Sequence, residues 1–313
     1  MQVDVTVAVS AYKAEQSIGA CIESILAQTV KEFGLVVVED WPHDGTQRVI
    51  EALPDRRIRY LKSPTHIGIA RSRNMCLRLA EGRHVFFTDA DSTVCEDWIE
   101  EGLKTFRLPN CVGVEGRIYY VSRDYKHSYS DAFQENKWGG RYMTTSMSYT
   151  KKVLEQLGGF DGRYTYHEDR DLALRAMKYG NIYFNPKMIA YGQQSTWKPI
   201  EYVKAARRIS NRVLLYKKFG DKPRSIWRIL FPERLVAIIF PAMIFGIVLQ
   251  GKCRTRKDFA LLPFAYARLV YERIILWDTC ARESIPNLRN EQEKRPRSMQ
   301  EFHEGFECEE NLR

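Results

Sequence analysis

The sequence lacks the features that mark several common protein classes. Its seven cysteines are scattered between Cys21 and Cys308 with no CxxC pair. That pattern supports neither a disulfide framework nor a zinc site, and it fits a reducing compartment. Collagen-like periods, low-complexity tracts and short internal repeats are all missing. The start, Met1-Gln2-Val3-Asp4, has no basic region followed by a long apolar run, so no signal peptide is read there and a cytoplasmic catalytic region is expected. No glycine occurs in VSAYKAEQS, residues 9–17. A sugar nucleotidyltransferase would be expected to place a Gly-rich basic loop there to hold triphosphate, so that class is disfavoured.

An excess of one charge is absent from most of the chain as well. Residues 1–197 carry equal numbers of basic and acidic side chains, residues 198–284 carry a net +11, and residues 285–313 a net −2, which leaves +9 overall. The basic segment also holds the longest uncharged apolar run, LVAIIFPAMIFGIVL over 235–249. As a helix it would be about 22 Å long, short of the roughly 30 Å hydrocarbon core, and Pro241 would kink it. Residues 259–277 are apolar but interrupted by Arg268, Glu272 and Arg273. The two stretches read as an interfacial or re-entrant helical hairpin, with a short spanning pair and a soluble helical subdomain as the alternatives. Basic residues interleaved with apolar ones suit an anionic membrane surface. No nucleic-acid-binding module is found, so nucleic acid is not an expected partner. Three regions follow: 1–197, 198–284 and a polar tail at 285–313.

What is present along the first 90 residues is an alternation of strand and helix patterns. Apolar, β-branched runs at 3–9, 33–38, 57–61 and 84–88 predict strands; residues 14–28, 46–53 and 67–81 predict helices. Continuous apolar strands joined by helices imply an α/β fold, a Rossmann-like, mostly parallel sheet covered on both faces. Further on, the pattern predicts helices at 95–107, 150–157, 169–179 and 199–219, strands at 111–118 and 142–148, and a long aromatic and charged loop at 119–141.

Ligands in such sheets bind at the C-terminal strand ends. Ser10-Ala11-Tyr12, Glu39-Asp40 and Asp89-Ala90-Asp91 all fall there. Two carboxylates two residues apart after a buried strand suit a hard divalent cation shared with substrate phosphates. His167-Glu168-Asp169 opens a helix, where a carboxylate serves either as a cap or as a general base.

Taken in order, VSAYKAEQSIGACIESILAQT, VVVEDWPHDGT, HIGIARSRNMCLRLAEGRHVFFTDADS, GGFDGRY and HEDRDLALRA resemble the family 2 glycosyltransferases, which have the GT-A fold. The resemblance covers about residues 3–195. It implies that Ser10 and Tyr12 border a nucleotide pocket, that Asp40 contacts the base, and that Arg73 and Asn74 help hold nucleotide or diphosphate. It further implies that Asp89 and Asp91 form the DxD pair for Mn²⁺ or Mg²⁺, with Asp91 favoured as the direct ligand, and that Glu168 binds substrate beside the catalytic base Asp169. The activity implied is inverting transfer of one sugar from a nucleotide sugar, with UDP favoured over GDP. The chain departs from the family at Trp41-Pro42, where the pocket wall would be reshaped. It departs again at Gln193-Gln194, where the family often has a metal-binding His, and it has no QxxRW motif of processive synthases.

An ionised polyprenyl phosphate needs no base, so an intact Glu168-Asp169 pair favours a hydroxyl acceptor. With the membrane-like segment, that points to a lipid-linked glycan at the cytoplasmic membrane face. A polyprenyl phosphate acceptor and a non-catalytic nucleotide-sugar or membrane scaffold are the alternatives.

Overall fold

The computed structural model describes residues 4–41, 43–132, 135–193, 195–219, 253 and 255–283. The apolar run 235–249 and the tail 285–313, together with Pro42 and Gln194, lie outside the described residues.

Strand β1 (Val5–Ala11) leads to helix α1 (Ile18–Leu26), β2 (Phe33–Asp40), α2 (Thr46–Glu51), β3 (Ile58–Ser63), α3 (Ile69–Leu79) and β4 (His84–Asp89). A short β5 (Ser92–Val94) follows, then α4 (Trp98–Thr105), β6 (Cys111–Tyr120), β7 (Met147–Thr150), α5 (Lys151–Gln156), α6 (Glu168–Ala176) and β8 (Asn181–Gly192). One curled sheet runs in the order β3-β2-β1-β4-β7-β6-β8-β5. Strands β1 to β4 are mutually parallel where they pair, as the continuous apolar runs predict. Strand β7 pairs antiparallel with both β4 and β6, and β6 is parallel to β8.

Side chains alternate along these strands, and each face builds its own core. Val5, Val7, Val9, Leu35, Val37 and Phe86 face α1 and α4. Ala8, Val36, Val38, Val85 and Phe87 face α3, α5 and α6. Helix α1 forms because Ile18, Cys21, Ile22 and Ile25 recur at helical spacing and are all fully buried. Each of those isoleucines contributes about 1.5–3 kcal/mol by leaving water. On α4, Trp98 is fully buried, and its indole N–H donates to Ser146 Oγ at 2.9 Å.

Two elements differ from the sequence pattern. The sequence pattern names no element over 181–192, where Pro186 and Lys187 interrupt the apolar residues of strand β8. Strand β8 accommodates them at a bulge: its register with β6 jumps between Gly116/Asn185 and Arg117/Ile189, so residues 186–188 are looped out of the ladder. The strand expected at 142–148 is shorter, since residues 144–146 form a 3₁₀ turn that runs into β7.

Beyond residue 197 the expected single helix is α7 (Pro199–Lys204) and α8 (Arg208–Phe219), joined by a 3₁₀ turn at 205–207. A 27-residue helix, α9 (Arg256–Arg282), covers the expected apolar stretch 259–277 and contains Pro263. It opens on a capping box in which Thr255 Oγ1 accepts from the Asp258 N–H and Asp258 Oδ2 accepts from the Thr255 N–H. The other oxygen of the buried Asp258 accepts from the Ser130 N–H at 2.6 Å. Among the described residues, no helix is long and apolar enough to cross a membrane. The described part of 198–284 is therefore bonded to the sheet domain across the expected boundary.

Candidate active site

The sheet's topology gathers the acidic motifs. Strands β1, β2 and β4 end side by side, with Ser10 opposite Asp89 and Ala11 opposite Glu39. Antiparallel β7 then brings Thr145, just before it, against β4.

Arg73 lies at the centre of this edge. Its side chain on α3 is 4 % exposed; Nη2 donates to Asp89 Oδ1 at 2.8 Å and Nη1 to Glu168 Oε1 at 2.5 Å. The planar guanidinium thus joins the acidic motif after β4 to the acidic motif opening α6, as a fork of fixed geometry can. Thr145 Oγ1 donates to the other Asp89 oxygen at 2.5 Å. Arg73 and Glu168 are buried and bonded into this network, so in the described structure they orient the two acidic motifs.

Asn74 is also turned inward. Its amide donates to the Phe160 carbonyl at 2.8 Å and accepts from the Phe160 N–H at 2.8 Å. This fit requires Gly159, which has a φ of +74° and where a Cβ would lie 2.4 Å from Asn74 Oδ1. The GGFDGRY segment is thereby fastened to α3 through Asn74.

Asp40 stands at the end of β2 with protein partners of its own. Its carboxylate is buried and accepts from the Ile67 and Gly68 N–H groups at 2.7 and 2.9 Å, and pairs with His66 Nδ1 at 2.9 Å. It shapes the loop after β3. His66 in turn packs on Tyr12 with ring centroids 4.7 Å apart and on Trp41 at 6.1 Å. Tyr12 and Trp41 are both exposed at the strand ends, which makes a flat aromatic wall. Neighbouring Glu39 is buried and accepts from the Tyr60 hydroxyl, while its Oε1 has no partner among the described residues. Burial pushes the Glu39 pKa up. Ser10 donates to Ser72 Oγ at 2.7 Å.

Asp91 is the exposed acid of this edge. Among the described residues its carboxylate accepts only from the Ser92 hydroxyl, at 3.5 Å, while its backbone carbonyl accepts from the Gln193 N–H. Desolvation, and then the charge of Asp89, raise its pKa to about 6. Asp169 stands in the first turn of α6, after His167 in the left-handed conformation with φ 71°. Oδ1 accepts from the Arg170 N–H at 2.7 Å. Burial first, then the charge of Glu168, raise the Asp169 pKa to about 7, with Arg73 opposing. A carboxyl poised near neutrality is suited to taking a proton.

Helix α8 holds this base loop from behind. The buried Asn211 donates to the Tyr166 carbonyl at 2.7 Å and to Thr165 Oγ1 at 3.2 Å. Arg212 Nε donates to His167 Nε2 at 3.2 Å, and Lys218 reaches the buried Asp171 at 2.6 Å, opposite Arg175. Thr145, His66, Ser72 and Asn211 were not legible as site residues: each is an ordinary side chain brought in by long-range packing.

Among the described residues no group of three His, Cys, Asp or Glu side chains is placed to hold a metal ion. An all-protein cage is therefore not present there. A free, hard carboxylate at Asp91 beside Asp89 does fit an ion that takes its other ligands from phosphate and water.

Residues 6–166 match the Glycosyl transferase family 2 domain, and the chain belongs to that family. It is 34% identical over 192 residues to the Escherichia coli protein named UDP-Glc:alpha-D-GlcNAc-diphosphoundecaprenol beta-1,3-glucosyltransferase WfgD, covering 57% of this chain and 71% of that one. It is 25% identical over 174 residues to the E. coli enzyme of the same description named WfaP, covering 54% and 68%. A solved mannosyltransferase from Pyrobaculum calidifontis, in complex with GDP-Man and Mn²⁺, superimposes with a TM-score of 0.62 at 19% identity, over 89% of this chain and 88% of that one. That likeness establishes the GT-A fold. The chain is a glycosyltransferase.

Proposed function

We propose that the chain transfers one sugar, with inversion, from a nucleoside-diphosphate sugar to a hydroxyl of a lipid-linked glycan. The observation that carries this reading is the buried Arg73 bridge, which ties the Asp89 motif and the Glu168-Asp169 motif into one edge. Tyr12, His66 and Trp41 offer a stacking wall for a nucleobase. UDP is the favoured carrier, as in the names of WfgD and WfaP, and GDP the second.

In the proposed reaction Asp169 takes the proton from the acceptor hydroxyl. The new bond forms between that oxygen and the anomeric carbon as the bond from carbon to the phosphate oxygen breaks. The nucleoside diphosphate leaves from the opposite face. Glu168, held by Arg73, keeps a negative charge beside Asp169 and so keeps its carboxyl a competent base. Asp91, with Asp89, would hold Mn²⁺ or Mg²⁺, and when bound such an ion supplies charge neutralisation to the diphosphate.

Association of 198–284 with a membrane surface, at its cytoplasmic face, belongs to the same proposal. It is supported by the net +11 of that segment and by Phe259, Ile274 and Trp277 standing exposed along α9. A polyprenyl phosphate acceptor is disfavoured, since Asp169 would have no proton to take.

The test is sugar transfer from UDP- and GDP-sugars to N-acetylglucosaminyl diphospholipid, with Mn²⁺ or with EDTA, using the full chain. Transfer that needs the cation and fails in Asp91→Asn supports the reading. Nucleotide binding without turnover on any acceptor would instead make the chain a scaffold.

A further inference from the structure

Past Asp91 the sheet continues through β5, β8 and β6, and the ends of β8 and β6 on the Asp91 side carry a cluster that the proposed reaction does not use. Tyr119 and Tyr191 are register partners whose rings stack at 5.9 Å and 21°. Tyr191 lies opposite Thr93, two residues from Asp91. Three cations converge on the Tyr119 ring, with Arg117, Arg123 and Lys137 at 6.0, 5.8 and 5.9 Å from its centroid.

These cations are not equally neutralised. Lys137 pairs with Glu135 at 3.1 Å, a carboxylate that also meets His127. Among the described residues neither Arg117 nor Arg123 has a carboxylate partner. Arg117 Nη1 donates to the Tyr119 hydroxyl at 3.2 Å, while its Nε–H is buried with no acceptor. Arg123 leans on the Tyr191 side chain. Two guanidinium groups on one ring repel each other, and a buried N–H on a cation without an acceptor is unfavourable. An anion seated between them would answer both.

We propose that Arg117 and Arg123, backed by Lys137, form an anion subsite on the Tyr119–Tyr191 platform for the diphosphate of the lipid-linked acceptor. This rests on the acceptor class proposed above. Guanidinium forks match phosphate oxygens, and the stacked rings give the first sugar a flat, apolar face. Position separates this anion from that of the donor. Tyr119 is two strands from β5, roughly 10 Å away at ordinary strand spacing. That is about the span of one sugar plus its phosphate, so the acceptor's hydroxyl can reach the Asp91–Asp169 edge while its diphosphate stays on the platform.

The experiment compares two detergent-solubilised acceptors with the full chain. One is an alkyl N-acetylglucosaminyl diphosphate, the other the alkyl N-acetylglucosaminide of the same chain length without the diphosphate. In Arg117→Gln/Arg123→Gln the KM for the diphosphate acceptor is expected to rise tenfold or more. The KM for the uncharged glycoside and the donor KM are expected to stay within twofold. An unchanged KM for the diphosphate acceptor overturns the subsite and leaves the transferase reading intact. A rise in donor KM instead assigns the cluster to the donor diphosphate and also overturns it. If wild-type chain transfers to neither acceptor, the acceptor class fails and the subsite with it. Should the double variant not fold, the wild-type protein answers alone: KM for the diphosphate acceptor rises steeply with ionic strength if the subsite exists, and a flat response rejects it.

Discussion

Asp169→Asn separates catalysis from stability at one residue. The carboxyl's pKa stands at about 7 against an ordinary 3.8, because burial and the Glu168 charge disfavour the ionised form. The folded chain therefore holds a proton that the unfolded chain has released between those two values. Stability falls as pH rises through that window and levels off above 7. At one pKa unit per 1.36 kcal/mol, the full cost of ionised Asp169 is about 4 kcal/mol, and partial solvent access brings the expectation to about 2–4 kcal/mol. Asparagine keeps an oxygen to accept from the Arg170 N–H and removes the charge. The variant is thus expected to be more stable than wild type near pH 8, by roughly 4–12 °C in Tm, with the gap closing towards pH 4. The same change should lower kcat by about 10²–10⁴, the usual contribution of a general base, with donor KM preserved. Thermal unfolding across pH, beside steady-state transfer, reads both quantities. A variant no more stable than wild type near pH 8 would refute the electrostatic argument, and kcat within tenfold of wild type would refute the assignment of the base.

Three further outcomes follow from the packing. Arg73→Met strands two carboxylates that now share one buried guanidinium, and is expected to cost about 3–5 kcal/mol, measured by chemical denaturation; Arg73→Lys should recover little, because an ammonium cannot fork. Asn74→Ala removes both bonds to Phe160 and should cost about 1–3 kcal/mol while donor KM stays within twofold, which distinguishes a fastening from a ligand contact. Asn211→Ala frees the 165–166 backbone behind the base and is expected to lower kcat about tenfold, with nucleotide affinity unchanged by calorimetry.

The sequence by itself determined the repeating half of the sheet, the acidic motifs and the family. Apolar strands such as VDVTVAV and HVFFT carry a period that local physics enforces, and DAD follows its strand directly, so its place at the edge was readable. The second half was not legible in the same way. Strand β8 hides its pattern behind a bulge at 186–188, and the partners of Asp89 stand 16 and 56 residues away, at Arg73 and Thr145. Residue types at Asp40, Arg73, Asn74 and Glu168 marked where chemistry concentrates, but could not say which of these side chains bond to one another and which to distant backbone. Only the tertiary structure decided that. A hydrogen bond between distant segments depends on how the sheet curls and how α3, α6 and α8 pack against it, and no local pattern encodes that geometry.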